Sequence, residues 1–166
     1  MRGKLIRGAI VAGIALGALV PAVSASANPA NGTAKNSVTS PMGVGERTTQ
    51  VTIHNNTSCG LKAVESGLDH GQWYAWGLSP FVYRNNQATF GTYSDGLATG
   101  VEGHATYQTY DCYDGAKNNR IVKVYWDNPY VGSNAYNTDG TDGAFSGSYS
   151  GGSGNHAYVD FWFSDK

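Results

Sequence analysis

Charge is scarce in this sequence. Only 14% of its 166 residues are Asp, Glu, Lys or Arg, and the formal balance is −1 at neutral pH. So few lysines and arginines give no electrostatic footing for nucleic acid or anionic lipid, both of which are held largely through their phosphates. Helical periodicity is missing too: no segment repeats apolar residues at helical spacing over the length a helix needs. Catalytic signatures are absent, with no Gly-x-Ser-x-Gly elbow, no phosphate-cradling glycine loop and no Cys-x-x-Cys. The four histidines, His54, His70, His104 and His156, are spread along the chain, and none belongs to a metal-ligand pair of familiar spacing. The run from Asn137 to Gly143 lacks the alternating oxygen ligands and closing Glu of a calcium loop, and it reads as a hairpin turn. The expectation is a protein that is not an enzyme, with no catalytic residues, no metal and no cofactor.

A membrane-spanning run is also lacking. Arg2, Lys4 and Arg7 precede an apolar stretch from Ala9 to Val23, and Ala25-Ser26-Ala27 follows. That stretch falls short of the roughly 20 residues a spanning helix needs. Basic start, short apolar core and small-x-small site together predict a secretory signal peptide over residues 1–27. Residues 28–46 are rich in Asn, Gly, Ser, Thr and Pro without period, which predicts a flexible leader. The domain is then 47–166, a length that suits one core, and the destination is extracellular. Loss of Arg2, Lys4 and Arg7 leaves 8 basic residues against 12 acidic, a net charge of roughly −4. Any membrane target of such a surface is expected to be neutral or zwitterionic. Just two cysteines occur, Cys59 and Cys112. In an oxidising compartment a disulfide between them is favoured over two free thiols.

What is present is β structure and aromatic side chains. Arg120 to Trp126 alternates β-branched and aromatic residues and predicts a half-buried strand. Val122, Val124 and Trp126 share one face; Ile121, Lys123 and Tyr125 share the other, and Lys123 marks that other face as the wetter. Pro129 cannot donate to a ladder and ends the strand. Similar runs are expected near Thr48–His54, Cys59–Val64, Phe81–Arg84, Ala88–Tyr93, His104–Tyr110, Ala135–Asn137, Ala144–Tyr149 and His156–Phe163. Leu68 to Pro80 shows neither period and reads as an aromatic-rich loop or ragged edge. Short strands at such spacing, with Gly, Asn and Asp between them, predict an all-β antiparallel sandwich of one domain.

The 4 Trp and 11 Tyr all fall after residue 27. Rings with an apolar body and a polar tip suit lipid head-group interfaces and sugar platforms alike. Tyr130, on a Gly-Ser-Asn loop, has little reason to sit there unless something docks against it. Glu102 precedes Gly103 at the start of a strand; it is either a solvated carboxylate or a partner for a cationic or hydroxyl-bearing head group.

In combination these residues resemble the aegerolysin family. The likeness rests on Ile53-His54-Asn55, Leu61-Lys62-Ala63, Glu102-Gly103, and above all Val124-Tyr125-Trp126-Asp127-x-Pro129-aromatic followed by Gly132-Ser133-Asn134. It runs from about Thr48 to the C-terminus. The resemblance implies a secreted lipid-binding protein that seeks sphingomyelin with cholesterol, or ceramide phosphoethanolamine. It also implies a place as the membrane-recognising half of a two-part cytolysin, whose perforin-like partner makes the pore. Glu102 and Tyr130 occupy the family's head-group-binding positions, and Trp73 matches a further binding tryptophan loosely. Trp126, core-facing by alternation, is carried with Glu102, Tyr130 and Trp73 in the candidate lipid-binding set. Tyr130 stands where Trp is more usual, and Asn128 where the fungal members have Cys. The physical expectation is a rigid scaffold presenting Tyr130 and Glu102 side by side. The competing reading is a secreted carbohydrate-binding module, and a secreted hydrolase comes third.

Overall fold

Alternation along the strands builds the architecture. The computed structural model describes residues 46–166; the expected signal peptide and all of the leader except Glu46 lie outside the described residues. In chain order the strands are β1 (Thr48–Asn56), β2 (Gly60–His70), β3 (Gln72–Trp73), β4 (Phe81–Val82) and β5 (Asn86–Tyr93). After them come β6 (Val101–Tyr110), β7 (Ile121–Asn128), β8 (Ala135–Asn137), β9 (Phe145–Gly151) and β10 (His156–Asp165), with one short 3-10 helix, Gly115–Lys117. Two five-stranded sheets result, ordered β3-β5-β1-β10-β9 and β4-β2-β6-β7-β8. All pairings are antiparallel except β1 with β10, which run parallel with Val51 opposite Val159 and Ile53 opposite Phe161. The first and last strands are thus zipped together at the centre of one sheet.

Between the sheets, Val51, Ile53, Phe90, Val159, Phe161 and Phe163 meet Leu61, Val101, Tyr107, Val122, Val124 and Trp126, all essentially without solvent exposure. Each such burial is worth about 1.5–3 kcal/mol relative to exposure. Trp126 therefore faces the core, as its alternation requires, and β7 stops at Asn128, just before Pro129.

One strand is longer than its sequence suggests. β2 continues past Val64 to His70, through register shifts at Ala63/Glu65 and Leu68/His70. A bulge inserts an extra residue and breaks the period of two, so an alternation test ends at the first one. Leu68, Asp69 and His70 are strand rather than loop, and Trp73 lies on the short β3 that pairs with β5.

The strands end at two sets of connections. At one end a disulfide joins Cys59 to Cys112, 53 residues apart in sequence, and the Asn55 amide donates to the carbonyls of Cys59, Val82 and Tyr83. At the other end lie residues 94–100, 129–134 and 152–155, beside the segment 71–77. These are the disulfide end and the loop end.

Candidate functional site: the loop end of the sandwich

Two glycines set Glu102 in place at the start of β6. A Cβ on Gly103 would lie 2.7 Å from Trp126 Cζ2 and 2.6 Å from Leu68 Cδ2, and one on Gly100 would lie 2.8 Å from Pro129 Cα. Gly103 thus admits the Trp126 indole on the inner face, while Gly100 lets the Pro129–Tyr130 backbone come close. Glu102 projects from the outer face. Its Oε1 accepts a 2.6 Å hydrogen bond from the Tyr125 hydroxyl, and its Oε2 lies 4.0 Å from His70 Nε2.

Asp127 stands opposite Glu102 across the β6–β7 ladder. Burial first, and then the Glu102 charge, push the Asp127 carboxyl above the usual carboxylate range, while His70 pulls it back. Burial, the Glu102 hydrogen bond and the nearby carboxylates of Glu102, Asp127 and Asp69 hold the Tyr125 phenol above its ordinary value. Among the described residues no Lys or Arg is ion-paired with either carboxylate. Such a surface favours a hydrogen-bond donor carrying positive charge.

Tyr130 belongs to a neighbouring corner. Pro129 ends β7, Gly132 adopts a φ of 115° that glycine tolerates best, and the loop between them lifts Tyr130 outward. The residue is 40% exposed. The Arg47 guanidinium lies over the Tyr130 ring, 5.4 Å from its centroid, and donates to the Tyr130 carbonyl and to the Asn155 side-chain oxygen. The Asn128 amide, at 3.0 Å from the carbonyls of both Thr48 and Asn155, ties the end of β7 to the opposite sheet. Other apolar side chains stand out from the segments of this end: Val131 at 84% exposure, Leu97 at 87%, and Trp76 at 58%, its ring stacked on Tyr74.

The sequence-derived candidates divide accordingly. Glu102 and Tyr130 share the loop end but have separate partners, Tyr125 and His70 for the first and Arg47 for the second. Trp126 requires correction: its indole is fully enclosed against Phe90 and Trp73, so it supports the site from within and offers no surface to a ligand. Trp73 is half-buried, its ring edge-on to Trp126 at 5.7 Å, and only part of it can meet solvent. The expected Cys59–Cys112 disulfide is formed. Sequence reasoning missed Arg47, which precedes the first alternating strand and matches no motif. It also missed Trp76, Leu97 and Val131 as a group; their one signal is the placing of large apolar residues among loop-forming Gly, Ser, Asn and Asp.

The arrangement defines a class before it defines a family: a two-sheet, helix-poor sandwich whose loops expose aromatic and aliphatic tips at the same end as carboxylates that no Lys or Arg pairs among the described residues. The aegerolysin family profile matches residues 82–164, half of the chain, and the chain belongs to that family. Its fold is similar to the crystal structure of the lipid-binding protein Nakanori. The TM-score is 0.58 and the identity 19%, over 75% of this chain and 73% of that one. No curated protein matches the sequence.

Proposed function

We propose that the chain is a secreted protein that binds the head group of a sphingolipid at its loop end. The lipid is sphingomyelin with cholesterol, or ceramide phosphoethanolamine. In this reading the chain is the recognition half of a two-part cytolysin, and a perforin-like protein completes the pore. Family membership and the lipid-binding fold neighbour support the reading. The observation that carries it is that Tyr130, Val131, Leu97 and Trp76 all stand exposed in the loop-end segments, at an end where Glu102 and Asp127 pair with no Lys or Arg among the described residues and Arg47 pairs with no carboxylate.

The physical terms fit a neutral surface. A net-negative domain gains nothing from anionic lipid, so affinity comes from burial of aromatic rings and from a few directed polar contacts. Hydrogen bonds to charged groups contribute about 1.5–3 kcal/mol each. Glu102 and Asp127 offer only acceptors to a cation, and ethanolamine can donate to them whereas choline cannot. A preference for ethanolamine over choline follows.

Co-sedimentation with vesicles of ceramide phosphoethanolamine or of sphingomyelin, each with cholesterol, tests the reading. Wild type is retained, and Glu102→Gln narrows the ethanolamine preference by roughly tenfold. An unchanged preference removes Glu102 from the site. Retention on polysaccharide in place of vesicles transfers the protein to the carbohydrate-binding class.

A further inference from the structure

We propose that Arg47 recognises the phosphodiester of the bound head group, an assignment that rests on the lipid-binding reading above. Arg47 immediately precedes β1 and reaches across the loop end to Tyr130 and Asn155. Among the described residues no other Lys or Arg stands on the loops of this end, and Arg47 forms no ion pair. Both of its acceptors are neutral oxygens. A guanidinium carries five N–H donors, and these contacts engage one on each terminal nitrogen. Nε is enclosed without an acceptor among the described residues. Each terminal nitrogen thus keeps a further donor, held in a planar fork that matches the oxygens of a phosphate.

One of the two clefts that Arg47 lines suits the same ligand. It measures about 440 Å³ and includes Ser133 and Ser153 with no carboxylate in its lining, whereas the other, of about 480 Å³, sets the Glu46 carboxylate beside Tyr130 and Asn155. The serine hydroxyls can donate to an anion without adding charge. Because the cation lies over the Tyr130 ring, a ring pressed among head groups carries the guanidinium to phosphate depth. The domain's net negative charge meanwhile opposes a sheet of anionic lipid, which leaves a single phosphate inside a zwitterionic head group as the fitting target. Glu102 and Asp127, on the outer face at the same end, are of the sign that the cationic part of such a head group requires. A purely structural Arg47, pinning the 129–134 loop to Asn155, is the competing role.

The test compares phosphorylated with phosphate-free bilayers. Wild type is expected on vesicles of sphingomyelin or ceramide phosphoethanolamine with cholesterol, and absent from vesicles of digalactosyldiacylglycerol, galactosylceramide and cholesterol. Arg47→Gln loses roughly 10- to 100-fold in affinity for the phosphorylated vesicles. Arg47→Lys, which keeps the charge but not the fork, loses less, and cooperative thermal unfolding establishes that both variants are folded. Equal binding of wild type to the phosphate-free vesicles overturns the assignment while leaving lipid binding standing, and so does undiminished binding by Arg47→Gln. Wild type bound to no vesicle overturns the lipid reading itself, a distinguishable result. Inorganic phosphate alone separates the sources: it is expected to shift the Arg47 Nε–H resonance only weakly, and saturation tighter than for vesicles would make this a free-phosphate site.

Discussion

At the disulfide end, Arg84 meets Asp111 at 2.7 Å, Lys117 meets Asp165 at 2.7 Å, and Arg120 meets Asp142 at 3.5 Å. At the loop end Arg47 donates to neutral oxygens, while Glu102 accepts from a tyrosine and stands opposite a second carboxylate. The long strands β1, β2, β5, β6, β7, β9 and β10 run between both ends, so the contrast lies in how the connections satisfy their charges. One end meets its own needs with ion pairs, a disulfide and the Asn55 hydrogen bonds. The other leaves charged donors and acceptors without a Lys, Arg, Asp or Glu partner among the described residues. Under the proposed reading, this division holds the candidate binding groups on a scaffold fastened elsewhere.

Four experiments sharpen that contrast or break it, beginning with the largest expected effect. Replacing both Cys59 and Cys112 by Ser releases a 53-residue separation and destabilises the fold by roughly 3–4 kcal/mol in the chain-entropy model. Denaturant unfolding measures this, and vesicle binding at a temperature where the variant is still folded should match wild type. A large binding loss there would mean that the ends are not independent.

Asn128→Ala comes second. It removes the two hydrogen bonds by which the Asn128 amide ties β7 to the Thr48 and Asn155 carbonyls, at about 0.5–1.5 kcal/mol each; the Asn155 carbonyl still accepts from the Thr48 N–H. Both stability and vesicle affinity should fall, since this tie holds the base of the Tyr130 loop. Unchanged affinity would detach the loop from its footing.

These two effects mark what could be read from residues alone. The disulfide, the inward face of β7 and its stop before Pro129 were legible because each depends on local pattern or on compartment chemistry. So was β10, where Val159, Phe161 and Phe163 all turn inward. The full length of β2 was hidden because two bulges erase the period on which strand reading depends. At the candidate site, the sequence motifs single out Tyr130 and Glu102, which the fold places at the same end. Their separate partners are not singled out, since Arg47 and Tyr130 are brought together only by the meeting of two sheets. Trp126 shows the limit of carrying a motif over whole: it belongs to the sequence block, but its role is to fill the core beneath Gly103.

Third, Asp165 tests the disulfide end by pH. Burial alone would raise its carboxyl, but hydrogen bonds from Lys117 and Ser58 and the Lys117 charge outweigh that and hold it below the usual range. A lowered folded value stabilises the protein above the unfolded carboxylate value of about 4, and the contribution fades as pH falls through the folded value. Asp165→Asn should therefore cost under about 1 kcal/mol at neutral pH for so exposed a pair. The difference from wild type should shrink in thermal melts below about pH 4. A difference that stays constant with pH would take the Lys117–Asp165 pair out of the account.

The most direct measurement sets one exposed tyrosine at each end against the other: Tyr130, 40% exposed at the loop end, and Tyr113, 79% exposed at the disulfide end. Each is replaced by Ala, and retention on sphingolipid–cholesterol vesicles is measured beside wild type. The account predicts a loss of roughly tenfold for Tyr130→Ala and wild-type retention for Tyr113→Ala. Undiminished binding by Tyr130→Ala with loss in Tyr113→Ala would place the membrane at the wrong end of the molecule and contradict it.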